Sequence, residues 1–135
     1  GYPYKHAKNV IDPEFGHLIP SIDKKFVDPI AELGPHVAPL GITFYDNDAF
    51  PAKYKNSVFV ALHGSWNRTK KSGYTVVFVK LDDDGNYLYQ EDFISGWLSN
   101  ESAWGRPVSP LIMRDGSMLL SDDKYNAIYR ISYKG

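Results

Sequence analysis

His63-Gly64-Ser65-Trp66-Asn67-Arg68 places an imidazole, an indole, a carboxamide and a guanidinium within six positions. The block follows an apolar, β-branched run over 57–63 that reads as a buried strand. A rigid element therefore fixes where the loop begins, as it does for most functional loops. Arginine is the side chain that grips a carboxylate or phosphate through two parallel hydrogen bonds. The same spacing also describes a capped turn with Trp66 packed on a neighbouring strand, and spacing alone does not choose between them. A second candidate is Trp104-Gly105-Arg106-Pro107, which leads into another strand. The plainer account of Arg106 is a surface guanidinium covering an aromatic ring.

The other polar clusters carry less. Asp82-Asp83-Asp84-Gly85 lacks the spaced ligands of a calcium loop and reads as a solvated hairpin turn. Asp122 and Asp123 end an apolar strand, where they can orient an arginine or bond the turn backbone. His6, His17 and His36 show no metal-ligand spacing. Asn67-Arg68-Thr69 and Asn100-Glu101-Ser102 match a glycosylation acceptor pattern that arises often by chance. No glycine-rich phosphate loop, nucleophile elbow or spaced acid pair is present.

The elements that must position these residues are strands. Residues 41–45, 57–63, 74–81 and 87–94 alternate or run apolar between turn signals, and so do 107–113, 117–121 and 127–133. The order short strand, apolar strand, tyrosine-rich strand occurs twice, with a fourth strand only in the first copy. We therefore expect seven main strands in two antiparallel sheets of four and three, packed face to face. The fold class predicted is all-β, with antiparallel blades of a propeller, about two of them in this chain. The expected organisation is an irregular leader over 1–36, a complete blade over 37–97 and a three-stranded last blade over 98–135. Five prolines break up the leader, which leaves room for a helical turn around residues 28–33. A blade takes about 40–50 residues and a closed ring about four to eight blades, so this length cannot close one. A small β-sandwich is the other architecture the pattern allows.

Composition removes several functions. Fifteen Lys+Arg against 16 Asp+Glu give a net charge of -1, so nucleic acid and anionic membranes are not expected partners. No apolar run spans a bilayer. Cysteine is absent, which excludes disulfides, thiolate metal sites and a cysteine nucleophile. The start is no signal peptide and carries no initiator Met, and it reads as a processing boundary. Aromatics at 15% suit a sheet core, or a surface that stacks on flat ligands or sugars.

The loops carry a resemblance. Residues 38–45, Phe50-Pro51, Tyr54-Lys55 and the run from Val58 through His63-Gly64-Ser65-Trp66-Asn67-Arg68 resemble the glucose/sorbosone dehydrogenase family. Gly73-Tyr74, Trp104-Gly105-Arg106-Pro107-Val108, Asp115-Gly116, Ser121-Asp122-Asp123 and the stretch 128–133 continue the likeness over essentially the whole chain. These are quinoproteins that use pyrroloquinoline quinone (PQQ). The resemblance implies the C-terminal part of a six-bladed β-propeller with PQQ on the channel axis. It implies an oxidoreductase of carbohydrate metabolism that passes hydride from an aldose, sorbosone-like sugar or aldehyde to the quinone. It places no catalytic residue and no metal ligand in this stretch, the catalytic histidine and the calcium ligands lying upstream. Arg68 and Arg106 match positions that bind the PQQ carboxylates, with Asn67 and Trp66 beside them. We expect the two arginines to converge on one polar hollow. The implied partners are a sugar or aldehyde substrate and an electron acceptor such as a cytochrome or quinone, and the implied location is periplasmic or secreted. Association with the missing part of the propeller or with a second copy is also expected. Ser109-Pro110 departs from the family pattern and removes a ladder donor from its strand. A non-catalytic propeller segment and a carbohydrate-binding β-module are the alternative functions.

Overall fold

The computed structural model describes residues 1–135. They form two compact units, Gly1–Glu32 and Leu33–Gly135.

In the first unit, strands β1 (Lys5–His6) and β2 (Val10–Ile11) pair as a short antiparallel hairpin. A 3-10 helix follows at Gly16–Ser21. Asp12 organises the turn before it, accepting the N–H groups of Glu14 and Phe15 at 2.9 and 2.8 Å. Tyr4 stacks on Phe26 at 6.0 Å. No helical turn forms over 28–33, contrary to the sequence expectation. Pro29 disfavours helical backbone at Asp28, so the stretch stays extended.

The second unit is built on two antiparallel sheets. Strands β3 (Pro39–Tyr45), β4 (Ser57–Leu62), β5 (Thr75–Leu81) and β6 (Tyr87–Ile94) pair in sequence order. A two-residue hairpin, β7 (Leu98–Ser99) with β8 (Ser102–Ala103), leads into β9 (Pro107–Ile112), β10 (Met118–Asp122) and β11 (Ala127–Ile131). These last three form the second sheet in the order β11-β10-β9. The four-and-three division therefore matches the duplicated sequence pattern.

β9 lies against β3 and β4 and joins the sheets. Alternation supplies the layer between them: Phe59, Ala61, Val76 and Phe78 from one sheet meet Met118 and Leu120 from the other, all fully buried. Burial of each large ring contributes about 1.5–3 kcal/mol. Rings fill the rest, with Phe59 on Phe93 at 4.5 Å and Tyr45 stacked on Phe50 at 5.0 Å. Gly41 permits a close approach of the sheets, since a Cβ there would stand 2.5 Å from the Val108 carbonyl oxygen.

Pro110 does not break the ladder. It pairs with Leu120 on β10, and β9 is an end strand of its sheet, the position where proline is tolerated. The disturbance appears as a register shift between Leu120 and Asp122, bridged where the Ser109 N–H donates to Ser121 Oγ at 3.2 Å. In the turn between β5 and β6, Asp82 Oδ1 accepts the N–H groups of Asp84 and Asn86 at 3.0 and 2.7 Å, which commits that carboxylate to the backbone.

Candidate functional site

β4 ends at Leu62, and the chain turns at once into His63-Gly64-Ser65. Two backbone bonds fix the turn: His63 N–H to the Ala38 carbonyl at 3.0 Å and Gly64 N–H to the Val37 carbonyl at 2.9 Å. Ser65 and Ser72 then close the excursion reciprocally. The Ser65 N–H donates to the Ser72 carbonyl at 2.9 Å, and the Ser72 N–H to Ser65 Oγ at 3.1 Å. Between them Trp66, Asn67, Arg68, Thr69 and Lys70 are exposed.

Tyr74 supports this loop from beneath. Its hydroxyl donates to the Ser65 carbonyl oxygen, and its ring lies against Gly64. A Cβ on Gly64 would stand 2.5 Å from that ring, and the residue has φ +97°, so only glycine fits. Tyr74 itself has φ +64°, a left-handed conformation that is rare for a bulky side chain.

Arg106 crosses from the second sheet to the first. Its Nε donates to the His63 carbonyl at 3.0 Å, and its Nη2 donates to the Gly64 and Ser65 carbonyls at 2.5 and 3.4 Å. The guanidinium carbon sits 5.3 Å over the Tyr74 ring. Three successive carbonyls and one aromatic face thus hold the cation, and Nη1 stays outside these contacts. Carbonyl dipoles soften the charge without cancelling it.

Asp122 fixes the backbone of that arginine. Its Oδ1 accepts the N–H groups of Arg106, Lys124 and Tyr125 at 2.9, 3.0 and 2.8 Å, and its Oδ2 accepts the Tyr129 hydroxyl at 2.9 Å. Burial pushes this carboxyl up, but the four donors together hold it below the usual aspartate value. Asp123 reaches the first sheet instead, with His63 Nε2 2.9 Å from its Oδ1.

A hollow of about 350 Å³ opens above Arg106, with Trp66 and Tyr74 among its walls. Lys71, Glu101 and Lys124 also line it, so with Arg106 three basic residues and one acidic residue border the hollow. The Lys71 N–H donates to Glu101 Oε2 at 2.5 Å, and Glu101 has φ +59°. Two left-handed, non-glycine residues therefore border one hollow. Each conformation costs about 1–3 kcal/mol, and such costs gather at functional sites.

Of the four residues singled out in the sequence, the structure brings Trp66 and Arg106 to the hollow. Asn67 and Arg68 are exposed on the same loop and do not line it, so the two arginines do not share its wall. Lys71, Tyr74, Glu101 and Lys124 were not singled out. Gly73-Tyr74 and Asp122-Asp123 were the nearest signals, and neither names a contact made tens of residues away.

Residues 21–134 match the family described as TrAA12-like. An uncharacterized protein of Borreliella burgdorferi is 41% identical over 139 residues, covering 99% of this chain and 36% of its own length. The pyrroloquinoline quinone-dependent pyranose dehydrogenase of Coprinopsis cinerea is 46% identical over 54 residues, 39% of this chain and 6% of that protein. Among solved structures, the holo form of the pyranose dehydrogenase PQQ domain from Coprinopsis cinerea has a TM-score of 0.58 at 28% identity, covering 79% of this chain and 29% of that one. A calcium structure of the Trichoderma reesei Carbohydrate-Active Enzymes family AA12 has a TM-score of 0.64 at 23% identity, covering 78% and 26%, a likeness of fold. The chain thus spans about a third of the Borreliella protein and less of the others. These matches point to a PQQ-domain family related to the glucose/sorbosone dehydrogenases that the loops resemble, and not to that family in particular.

Proposed function

The chain belongs to the TrAA12-like family, and from that premise we propose that it is the C-terminal portion of a PQQ-dependent sugar or aldehyde dehydrogenase. In this reading residues 37–97 and 98–135 are the last two blades of a six-bladed propeller, and 1–36 is the segment that leads into them. The hollow at Arg106 is the basic side of the cofactor site.

The carrying observation is the donor set. A small hollow faced by Lys71, Arg106 and Lys124 against the single carboxylate of Glu101 suits a compact polyanion, and PQQ bears three carboxylates. Trp66, 85% exposed beside it, offers a flat face to a planar ring system. The residues present therefore fit the cofactor. Arg106 would hold a carboxylate through Nη1, which its three carbonyl partners leave uncommitted. Lys71 and Lys124 would add charge, and Asn67 and Arg68, exposed on the same loop outside the hollow, would add to the polar and basic character around it. Asp122 keeps Arg106 at a fixed height in the site. When bound, PQQ supplies the two-electron acceptor for hydride from a sugar carbon. The proton acceptor and the calcium ligands belong to the part of the protein outside this chain. The substrate would be an aldose, sorbosone-like sugar or aldehyde, and the electron acceptor a cytochrome or quinone. A periplasmic or secreted location accompanies this chemistry.

PQQ titration of the full-length protein tests the reading. Arg106→Ala should weaken binding about tenfold to a hundredfold, the worth of one or two charge-assisted contacts. Unchanged affinity, or no PQQ binding by the full-length protein, would leave a non-catalytic or carbohydrate-binding module in its place.

A further inference from the structure

Beside the hollow, two exposed aromatic rings meet at a right angle. Trp104 and Tyr125 are 47% and 61% exposed, with centroids 5.5 Å apart and planes at 85°. Each is tied to the hollow by the chain itself. Trp104 lies between Ala103 and Arg106, and Tyr125 follows Lys124, all three of which line it.

The Trp104 ring is held rigidly. Its backbone N–H donates to the Trp97 carbonyl at 3.0 Å, and its Nε1–H donates to the Gly96 carbonyl at 2.7 Å. It also packs on the buried Trp97 at 6.3 Å. A surface indole commonly faces water to satisfy its N–H. Here that N–H is satisfied internally, so what the half-exposed indole offers to water is apolar ring surface. Tyr125 is pinned at its backbone by Asp122 and makes no hydroxyl bond within the chain.

The surroundings decide what such a corner fits. Glu101, Ser102, Asp123 and Lys124 are all exposed beside it, so there is no continuous apolar patch for an aliphatic partner. Two fixed, partly exposed rings surrounded by hydroxyl, carboxylate and ammonium groups match a pyranose, which has apolar C–H surface and a rim of hydroxyls.

We propose that the Trp104–Tyr125 corner binds a second sugar ring, so that the substrate class is an oligosaccharide whose terminal unit lies against the cofactor held at the hollow. The terminal unit's fate rests on the dehydrogenase reading, whereas the corner's affinity for a sugar chain stands apart from it.

The experiment titrates glucose, cellohexaose and maltohexaose into the full-length protein by calorimetry, then measures kcat and KM after PQQ loading. At least one hexamer should bind about tenfold more tightly than glucose, and Trp104→Ala or Tyr125→Ala should remove that advantage. Both variants should raise KM for that hexamer, keep kcat, and leave the glucose values unchanged. Trp104→Phe should restore most of the gain. Should Trp104→Ala lose its fold with the packing on Trp97, the more exposed Tyr125→Ala carries the test. The proposal is overturned if neither hexamer binds more tightly than glucose, or if the variants weaken glucose and hexamer alike. Hexamer binding that vanishes in the variants, in a protein that oxidises no sugar, keeps the corner and removes the dehydrogenase.

Discussion

The carboxylate of Asp122 holds the backbone N–H of Arg106 at 2.9 Å, across 16 positions of sequence. The same arginine is gripped at its other end by carbonyls more than 40 positions away. Arg106 thus ties the turn after β10, through its backbone, to the loop after β4, through its guanidinium, and the position of that guanidinium depends on both.

Asp122→Asn should therefore destabilise the protein at neutral pH, by about 1–3 kcal/mol for disturbed buried acceptors. The pH dependence has a definite sign. The native pKa lies below the ordinary 3.8, so the ionised form contributes stability above that value and loses it as pH falls through the native one. Chemical denaturation at a series of pH values should show the gap between wild type and variant narrowing as pH drops through and below 3.8. A gap of constant size would show that ionisation is not what holds the turn.

Gly64→Ala should be among the most damaging single changes. The added methyl meets the Tyr74 ring at 2.5 Å and demands φ +97° of an L residue. A loss of about 2 kcal/mol or more is expected in urea melts. An unchanged midpoint would mean that the loop has another conformation available.

Arg106→Lys and Arg68→Ala separate fork geometry from charge. A lysine cannot span three carbonyls and still present a free edge, so Arg106→Lys should recover only part of the PQQ affinity lost in Arg106→Ala. Arg68 is exposed and lies outside the hollow wall, so Arg68→Ala should cost less than Arg106→Ala. Equal losses from the two alanine variants would require Arg68 to enter the site on binding.

Trp66→Ala should leave stability within about 0.5 kcal/mol, because the ring is 85% exposed. Its effect should appear in PQQ affinity and in the loss of ligand-induced fluorescence quenching. A drop in melting temperature without a change in binding would assign Trp66 to packing.

The strands were legible because their causes are local. β6 occupies residues 87–94 as read from sequence, bounded by the Asp-rich turn on one side and Ser95-Gly96 on the other. β7 and β8 were not, since two residues carry no period. The site was half legible. Trp66 and Arg106 stand out by chemical type, but Lys71 meets Glu101 from 30 positions away and His63 meets Asp123 from 60. Such contacts follow from how the two sheets pack, and no window of sequence contains them.

The reciprocal pair of Ser65 and Ser72 makes the segment between them a cassette. Its ends are bonded to each other, and the carbonyls that hold Arg106 all lie at or before Ser65. Lengthening a surface loop is cheap, about 0.6 kcal/mol for each doubling. Insertions between Thr69 and Lys70 can therefore reshape the outer wall of the hollow while the arginine clamp stays as it is. Evolution, or a designed library, can vary what this protein accepts there without renegotiating its fold.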